Sequence, residues 1–221
     1  LTWELAQQMD GSHIFVWDVE TETMLYSTTD VRESLYPASI TKLFSAWVAL
    51  QILEPDTVVM AGKELGLLQP GSSTALIAYG SRLTVRMLVE AMLLPSGNDA
   101  AYILACAAGR VIKNDPNLSA GTACRAFMDE MNAQAAALGM TGTKFQNPDG
   151  IHDPNHYSTF ADLAILGKLS LSNETIIKYA TTAKDSITLH GETLQWKNTN
   201  KLVDPRHSYY CPHALGLKTG Q

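Results

Sequence analysis

Cysteine is scarce in this chain. Three residues in 221, Cys106, Cys124 and Cys211, are too few and too far apart for a disulfide framework. At most one pair could form, and the three are expected to be buried free thiols. No Cys-x-x-Cys pair is present to start a zinc site. Charge is also sparse: Asp, Glu, Lys and Arg make up 17% of the residues, and the formal net charge is −6. With no basic stripe, a nucleic-acid partner is excluded. Apolar runs such as Leu43–Leu53 fall well short of the roughly 20 residues that cross a bilayer. The first ten residues lack the basic start and apolar centre of an export signal. The protein is therefore either cytosolic or read here after removal of such a signal. Nor is there a Gly-x-Ser-x-Gly elbow to serve a histidine triad. His13, His190, His207 and His213 are scattered. His152 and His156 are four apart, the spacing of a helical zinc pair, but Pro154 lies between them in a loop. No metal and no organic cofactor is expected.

What remains is a chain with 46% hydrophobic residues, enough for one sizeable core or for two lobes sharing a cleft. Ile14–Trp17 and Met24–Tyr26 alternate around a polar turn and read as two strands. Ser39 to about Leu53 reads as a helix buried on most sides, with Pro37 just ahead of it. Further helices are expected over Thr84–Met92, Asp99–Val111, Ala123–Leu138 (stopped by Gly139) and Phe160–Leu171. Asn147-Pro148-Asp149-Gly150 is a strong turn signal, and ordinary turn duty accounts for Asp149 and Asp153. Ser186–Leu189 and Thr193–Trp196 flank His190-Gly191-Glu192 as a hairpin. Trp3, Trp17, Trp47 and Trp196 are assigned to core or rim. Strands, a helical middle and strands again predict an α+β fold with a cleft between lobes. The sheet lobe spans about 1–58 and 172–221, and the helical lobe about 59–171.

Three short motifs, each present once, carry the chemistry. Ser39-Ile40-Thr41-Lys42 places a hydroxyl and an amine three residues apart, on one helix face. A serine is a poor nucleophile until a base takes its proton, and a lysine is such a base only where its ammonium form is disfavoured. In the first helical turn the Ser39 N–H can also face a developing oxyanion. Ser96-Gly97-Asn98 lies in a tight turn at a helix start. Its residues suit a plain helix cap, or a proton relay through the Ser96 hydroxyl with the Asn98 amide holding a substrate carbonyl. Lys218-Thr219-Gly220 fits an edge strand. There Lys218 and Thr219 can bind a carboxylate, Gly220 admits a ligand backbone, and the Gln221 N–H supplies a second oxyanion donor. Taken singly, each reads more readily as a chance spacing, a helix cap or a surface feature. Their order and spacing, 57 positions from Ser39 to Ser96 and 122 from Ser96 to Lys218, make coincidence a poor explanation.

The surroundings strengthen this. Pro37-Ala38-Ser39-Ile40-Thr41-Lys42, Ser96-Gly97-Asn98-Asp99-Ala100-Ala101, Asn147-Pro148-Asp149-Gly150, His156-Tyr157-Ser158-Thr159, Asn198-Thr199-Asn200-Lys201-Leu202 and Gly216-Leu217-Lys218-Thr219-Gly220 together resemble the D-alanyl-D-alanine carboxypeptidases, low-molecular-mass penicillin-binding proteins. The resemblance runs from about His13 to Gln221. It implies the β-lactamase-like transpeptidase fold, an α/β sandwich whose antiparallel sheet is flanked by helices beside a helical lobe. It further implies peptidoglycan stem peptides as substrate, an acyl-enzyme on Ser39, slow-leaving β-lactam adducts and an extracytoplasmic location. Members of that family continue past the Lys-Thr-Gly strand with two more strands and a closing helix, and many add a β-rich stalk and a membrane anchor. This sequence ends at Gln221. The resemblance thus implies a completing segment, on a second polypeptide or on a cleaved or omitted continuation, and an anchor outside this chain. Two other readings share the motifs. A serine β-lactamase needs a deacylating Glu, ordinarily in a Glu-x-x-Leu-Asn loop, and no such segment occurs. A β-lactam-sensing or scaffold domain would bind or acylate without turnover.

Overall fold

A computed structural model of the chain describes residues 13–189 and 191–220. Six α-helices and three two-stranded antiparallel ladders make up the described architecture. β1 (Phe15–Asp18) pairs with β2 (Thr23–Ser27), β3 (Val58–Met60) with β4 (Arg82–Thr84), and β5 (Lys184–Leu189) with β6 (Glu192–Lys197). The helices are α1 (Thr41–Ile52), α2 (Val85–Leu93), α3 (Asn98–Ile112), α4 (Ala120–Ala137), α5 (Phe160–Leu171) and α6 (Glu174–Thr181).

Local chemistry sets the helix ends. Thr84, Ser119, Thr159 and Asn173 each turn a side-chain oxygen onto an N–H of the first turn of α2, α4, α5 and α6. Gly139, at φ +81°, closes α4 in the left-handed region that favours glycine. The core lies where α1, α2 and α3 meet, and Phe44, Leu88, Met92 and Ile103 are fully buried there. Burying each such side chain stabilises the fold by about 1.5–3 kcal/mol. The alanine-rich face of α3 lets α4 come close. A Cβ at Gly109 would lie 1.9 Å from the Ala123 carbonyl oxygen, so only glycine allows this crossing.

The expected helices and both expected hairpins form. The β3–β4 ladder and α6 had not been anticipated. Three-residue strands carry little alternation, and α6 follows α5 after a break of two residues, Ser172 and Asn173. A single sheet was expected, with Lys218-Thr219-Gly220 on one of its strands. Among the described residues the ladders instead stay separate, and 204–220 forms neither helix nor strand. A strand exists only through its neighbour, and among the described residues no ladder partner lies beside this segment. The thiols also differ from expectation. Cys106 is buried, Cys124 half-buried and Cys211 exposed, because Cys211 falls in that irregular segment. Trp196 is core, and its Nε1–H donates to the Ala75 carbonyl at 2.9 Å, docking the β5–β6 hairpin. Trp3 lies outside the described residues.

Candidate active site

Ser39 sits in a single 3-10 turn, Ala38–Ile40, that runs directly into α1. One turn on, Lys42 is wholly buried, and its Nζ lies 3.0 Å from Ser39 Oγ and 2.7 Å from the Asp149 carbonyl oxygen. Burial brings the amine down to about 7. The nearby Lys218 adds to this, while Asp149 and Asp99 oppose it. A neutral amine keeps an N–H for the Asp149 carbonyl and a lone pair for the Ser39 hydroxyl. That is the geometry of a base and its nucleophile.

The loop carrying Asp149 is fixed to α1 at several points. Ser45 Oγ donates to the Pro148 carbonyl at 2.7 Å, and Phe44 stacks on Phe145 with ring centroids 5.1 Å apart. Asn147 closes the turn, accepting from the Gly150 N–H and donating to the Ile151 carbonyl. From α4, Asn132 both accepts from the Phe145 N–H and donates to its carbonyl, each at 2.9 Å. His156 Nδ1 accepts from the Gln146 N–H, which leaves the Nε2 proton for Thr41 Oγ1 at 2.8 Å. Burial lowers the His156 imidazole to about 4, so it stays neutral in this role. Gly150 completes the fit. Its φ is +81°, and a Cβ there would lie 1.8 Å from the Ala38 carbonyl oxygen.

Ser96 and Asn98 reach the same site from the start of α3. Ser96 has φ +63°, a cost that local bonds offset: its carbonyl accepts from Ser73 Oγ at 2.7 Å, and the Asn98 N–H donates to the Ser73 carbonyl at 2.8 Å. Asp99 anchors the opposing 75–77 segment, its carboxylate accepting from the N–H groups of Ala75, Ile77 and Ala100. Among the described residues no hydrogen bond joins Ser96 Oγ to Lys42. The two instead border one space. Ser39, Ser72, Ser73, Ser96, Asn98, Asp149, Thr199 and Thr219 are among the residues lining a cavity of about 290 Å³.

Lys218 and Thr219 form the far wall. Thr199 holds them: its Oγ1 lies 2.6 Å from Thr219 Oγ1 and accepts from Lys218 Nζ at 3.3 Å. Burial lowers the Lys218 amine to about 8. Gly220 packs on the nucleophile's own turn, since a Cβ there would sit 3.2 Å from Ala38 Cβ and from the Pro37 carbonyl oxygen. Gln221, the expected second oxyanion donor, lies outside the described residues. The structure thus gathers Ser39, Lys42, Ser96, Asn98, Lys218, Thr219 and Gly220 around one cleft. Sequence reasoning had missed Ser45, Thr199 and the carbonyl of Asp149. The Asn-Pro-Asp-Gly turn was the one available signal for the last. His156, weighed as a metal ligand, is a buried hydrogen-bonding partner of α1, and His152 is exposed, edge-on to Tyr36.

A family model for D-alanyl-D-alanine carboxypeptidase, peptidase S11, matches residues 2–221. The chain belongs to this family. Among its relatives, the D-alanyl-D-alanine carboxypeptidase of Streptomyces sp. (strain K15) is 33% identical across 90% of this chain and 68% of its own length. Carboxypeptidase DacF of Bacillus subtilis is 29% identical over 99% of this chain and 52% of its own, and DacC of Escherichia coli 31% over 85% and 44%. The chain therefore spans about half the length of several curated relatives it matches. The crystal structure of the Streptomyces K15 DD-transpeptidase superimposes with a TM-score of 0.80 at 30% identity, covering 94% of this chain and 78% of that one. This is an α+β architecture of the penicillin-binding-protein, DD-peptidase type.

Proposed function

We propose that the chain is one penicillin-binding catalytic domain that removes the terminal D-alanine from peptidoglycan stem peptides through an acyl-enzyme on Ser39. The observation that carries this reading is the Lys42 amine, wholly buried 3.0 Å from Ser39 Oγ and brought down to about 7. Neutral Lys42 takes the Ser39 proton as Oγ attacks the carbonyl carbon of the penultimate residue. The Ser39 and Gln221 N–H groups stabilise the oxyanion. Ser96 passes the proton to the departing amine, and water then releases the acyl group. Asn98 holds the substrate amide, while Lys218 and Thr219 hold its terminal carboxylate by charge-assisted hydrogen bonds. The chemistry needs no cofactor. β-Lactams enter the same cleft and acylate Ser39. We place the cleft between the sheet lobe and the helical lobe of this domain. Such a substrate places the enzyme outside the cytoplasm. No helix among the described residues is long and apolar enough to cross a membrane.

The test is release of D-alanine from diacetyl-L-lysyl-D-alanyl-D-alanine. Release abolished by benzylpenicillin is expected. A stable penicilloyl adduct without D-alanine release would favour a sensing domain, and rapid penicillin turnover would favour a β-lactamase.

A further inference from the structure

Two aspartates stand near Lys42, and they are bonded very differently. The Asp99 carboxylate accepts from the N–H groups of Ala75, Ile77 and Ala100, so its lone pairs are committed to holding the 75–77 segment. The Asp149 carboxyl is 1% exposed, yet Oδ1 accepts only the Ile151 N–H at 3.2 Å, and Oδ2 accepts no hydrogen bond among the described residues. A buried carboxylate this poorly bonded is unfavourable unless a nearby charge compensates it. Lys42 reaches the same residue through its backbone: Nζ is bonded to the Asp149 main-chain oxygen at 2.7 Å, and among the described residues no ion pair within 4.0 Å joins Nζ to the carboxyl, so the two charges act across a short gap and not as a contact pair. The loop is pinned by Ser45, Asn132 and Asn147, so the carboxyl cannot easily move away.

Resting on the catalytic reading above, we propose that Asp149 is a positioning residue: its carboxyl is the counter-charge that sets the pH at which Lys42 becomes the base for Ser39. The two groups act on each other in the expected senses, Asp149 raising the Lys42 amine and Lys42 lowering the Asp149 carboxyl against the larger effect of burial. The other charges facing Lys42 are Asp99 on α3, which raises it, and Lys218, which lowers it. Tyr102 on α3, raised chiefly by burial, and Cys124 on α4, lowered overall by its bond to Cys106, also lie within reach of the Asp149 charge, which acts on each in the raising sense.

The sign makes the proposal testable. Removing the Asp149 charge makes the Lys42 ammonium easier to deprotonate. In Asp149→Asn the acid limb of benzylpenicillin acylation moves to lower pH by about one unit, the scale on which a nearby opposite charge acts. Well below both midpoints the variant then reaches a roughly tenfold larger fraction of its own plateau rate. A merely structural loss lowers the plateau without moving the normalised limb to lower pH. Asp149→Glu, which keeps the charge, leaves the limb near its wild-type position. A limb in Asp149→Asn that stays put or moves to higher pH overturns the proposal. A second measurement depends neither on the variant folding nor on turnover. Carbon NMR of the Asp149 carboxyl in the wild-type protein is expected to show its own titration step and an echo at the Lys42 step. No echo overturns the proposal. A wild-type protein that shows the echo but is never acylated would uphold the coupling and defeat the catalytic reading instead.

Discussion

The two walls of the cleft are built in opposite ways. On the nucleophile side, Lys42 and Ser45 are buried within α1, and the 145–151 loop is locked to that helix by the Ser45 bond, the Phe44–Phe145 stack and the contact of Gly150 with Ala38. On the cation side, Lys218 and Thr219 are half-buried in a segment with neither helix nor strand, tied mainly through the Thr199 hydroxyl. Bond making and breaking requires reacting atoms held within fractions of an ångström. Recognition of a carboxylate tolerates more freedom, because a charge attracts over distance. On the proposed mechanism, the rigid wall governs rate and the looser wall governs binding.

The sharpest way to break this division is at the base. Lys42→Ala leaves Ser39 in place without a proton acceptor, and acylation by benzylpenicillin is expected to fall by about 10²–10⁴-fold. A smaller fall would mean that another group takes the proton. Next comes the packing that aims Ser39. In Gly150→Ala the new methyl would collide with the Ala38 carbonyl at a φ of +81°. Displacement of the turn should cost about 100-fold in acylation, with the fold retained by circular dichroism. Wild-type kinetics in that variant would show that the contact is incidental. Lys218→Ala belongs to the other wall. It removes a charge-assisted contact, so KM for diacetyl-L-lysyl-D-alanyl-D-alanine should rise roughly 10- to 100-fold with a much smaller change in kcat. The reverse split would contradict the assigned roles.

The smallest effect is the shape of the pH profile. Lys42 must be neutral, so activity rises as pH increases through about 7; Lys218 must be charged, so activity falls as pH increases through about 8. A narrow bell results. Lys218→Ala should erase the alkaline limb and, because Lys218 helps lower the Lys42 amine, move the acid limb to somewhat higher pH.

The same contrast explains how much could be read from the sequence. Ser39 and Lys42 are three apart on a helix, so spacing alone gives their neighbourhood, and the limits of α5 follow from Thr159 and the apolar run after it. Ser96 and Asn98 announce themselves as a turn before an alanine-rich helix. What eluded the sequence depends on distant parts of the chain. Asp149 meets Lys42 across 107 positions and Thr41 meets His156 across 115, and no local pattern encodes either pairing. The strand expected at Lys218-Thr219-Gly220 fails for a related reason. Alternation signals a strand, but a ladder also needs a neighbour. Thr199 belongs to the motif Asn198-Thr199-Asn200-Lys201-Leu202 but carried no assigned role, because a threonine after a hairpin reveals none until Thr219 lies against it.

The central claim is that Ser39 is the nucleophile and Lys42 its base. Intact-mass spectrometry of the protein incubated with benzylpenicillin tests it most directly, followed by peptide mapping and the same measurement on Ser39→Ala. The account predicts one penicilloyl adduct per chain, located on Ser39 and absent from the variant. An adduct on another residue, or one that persists in Ser39→Ala, would contradict it.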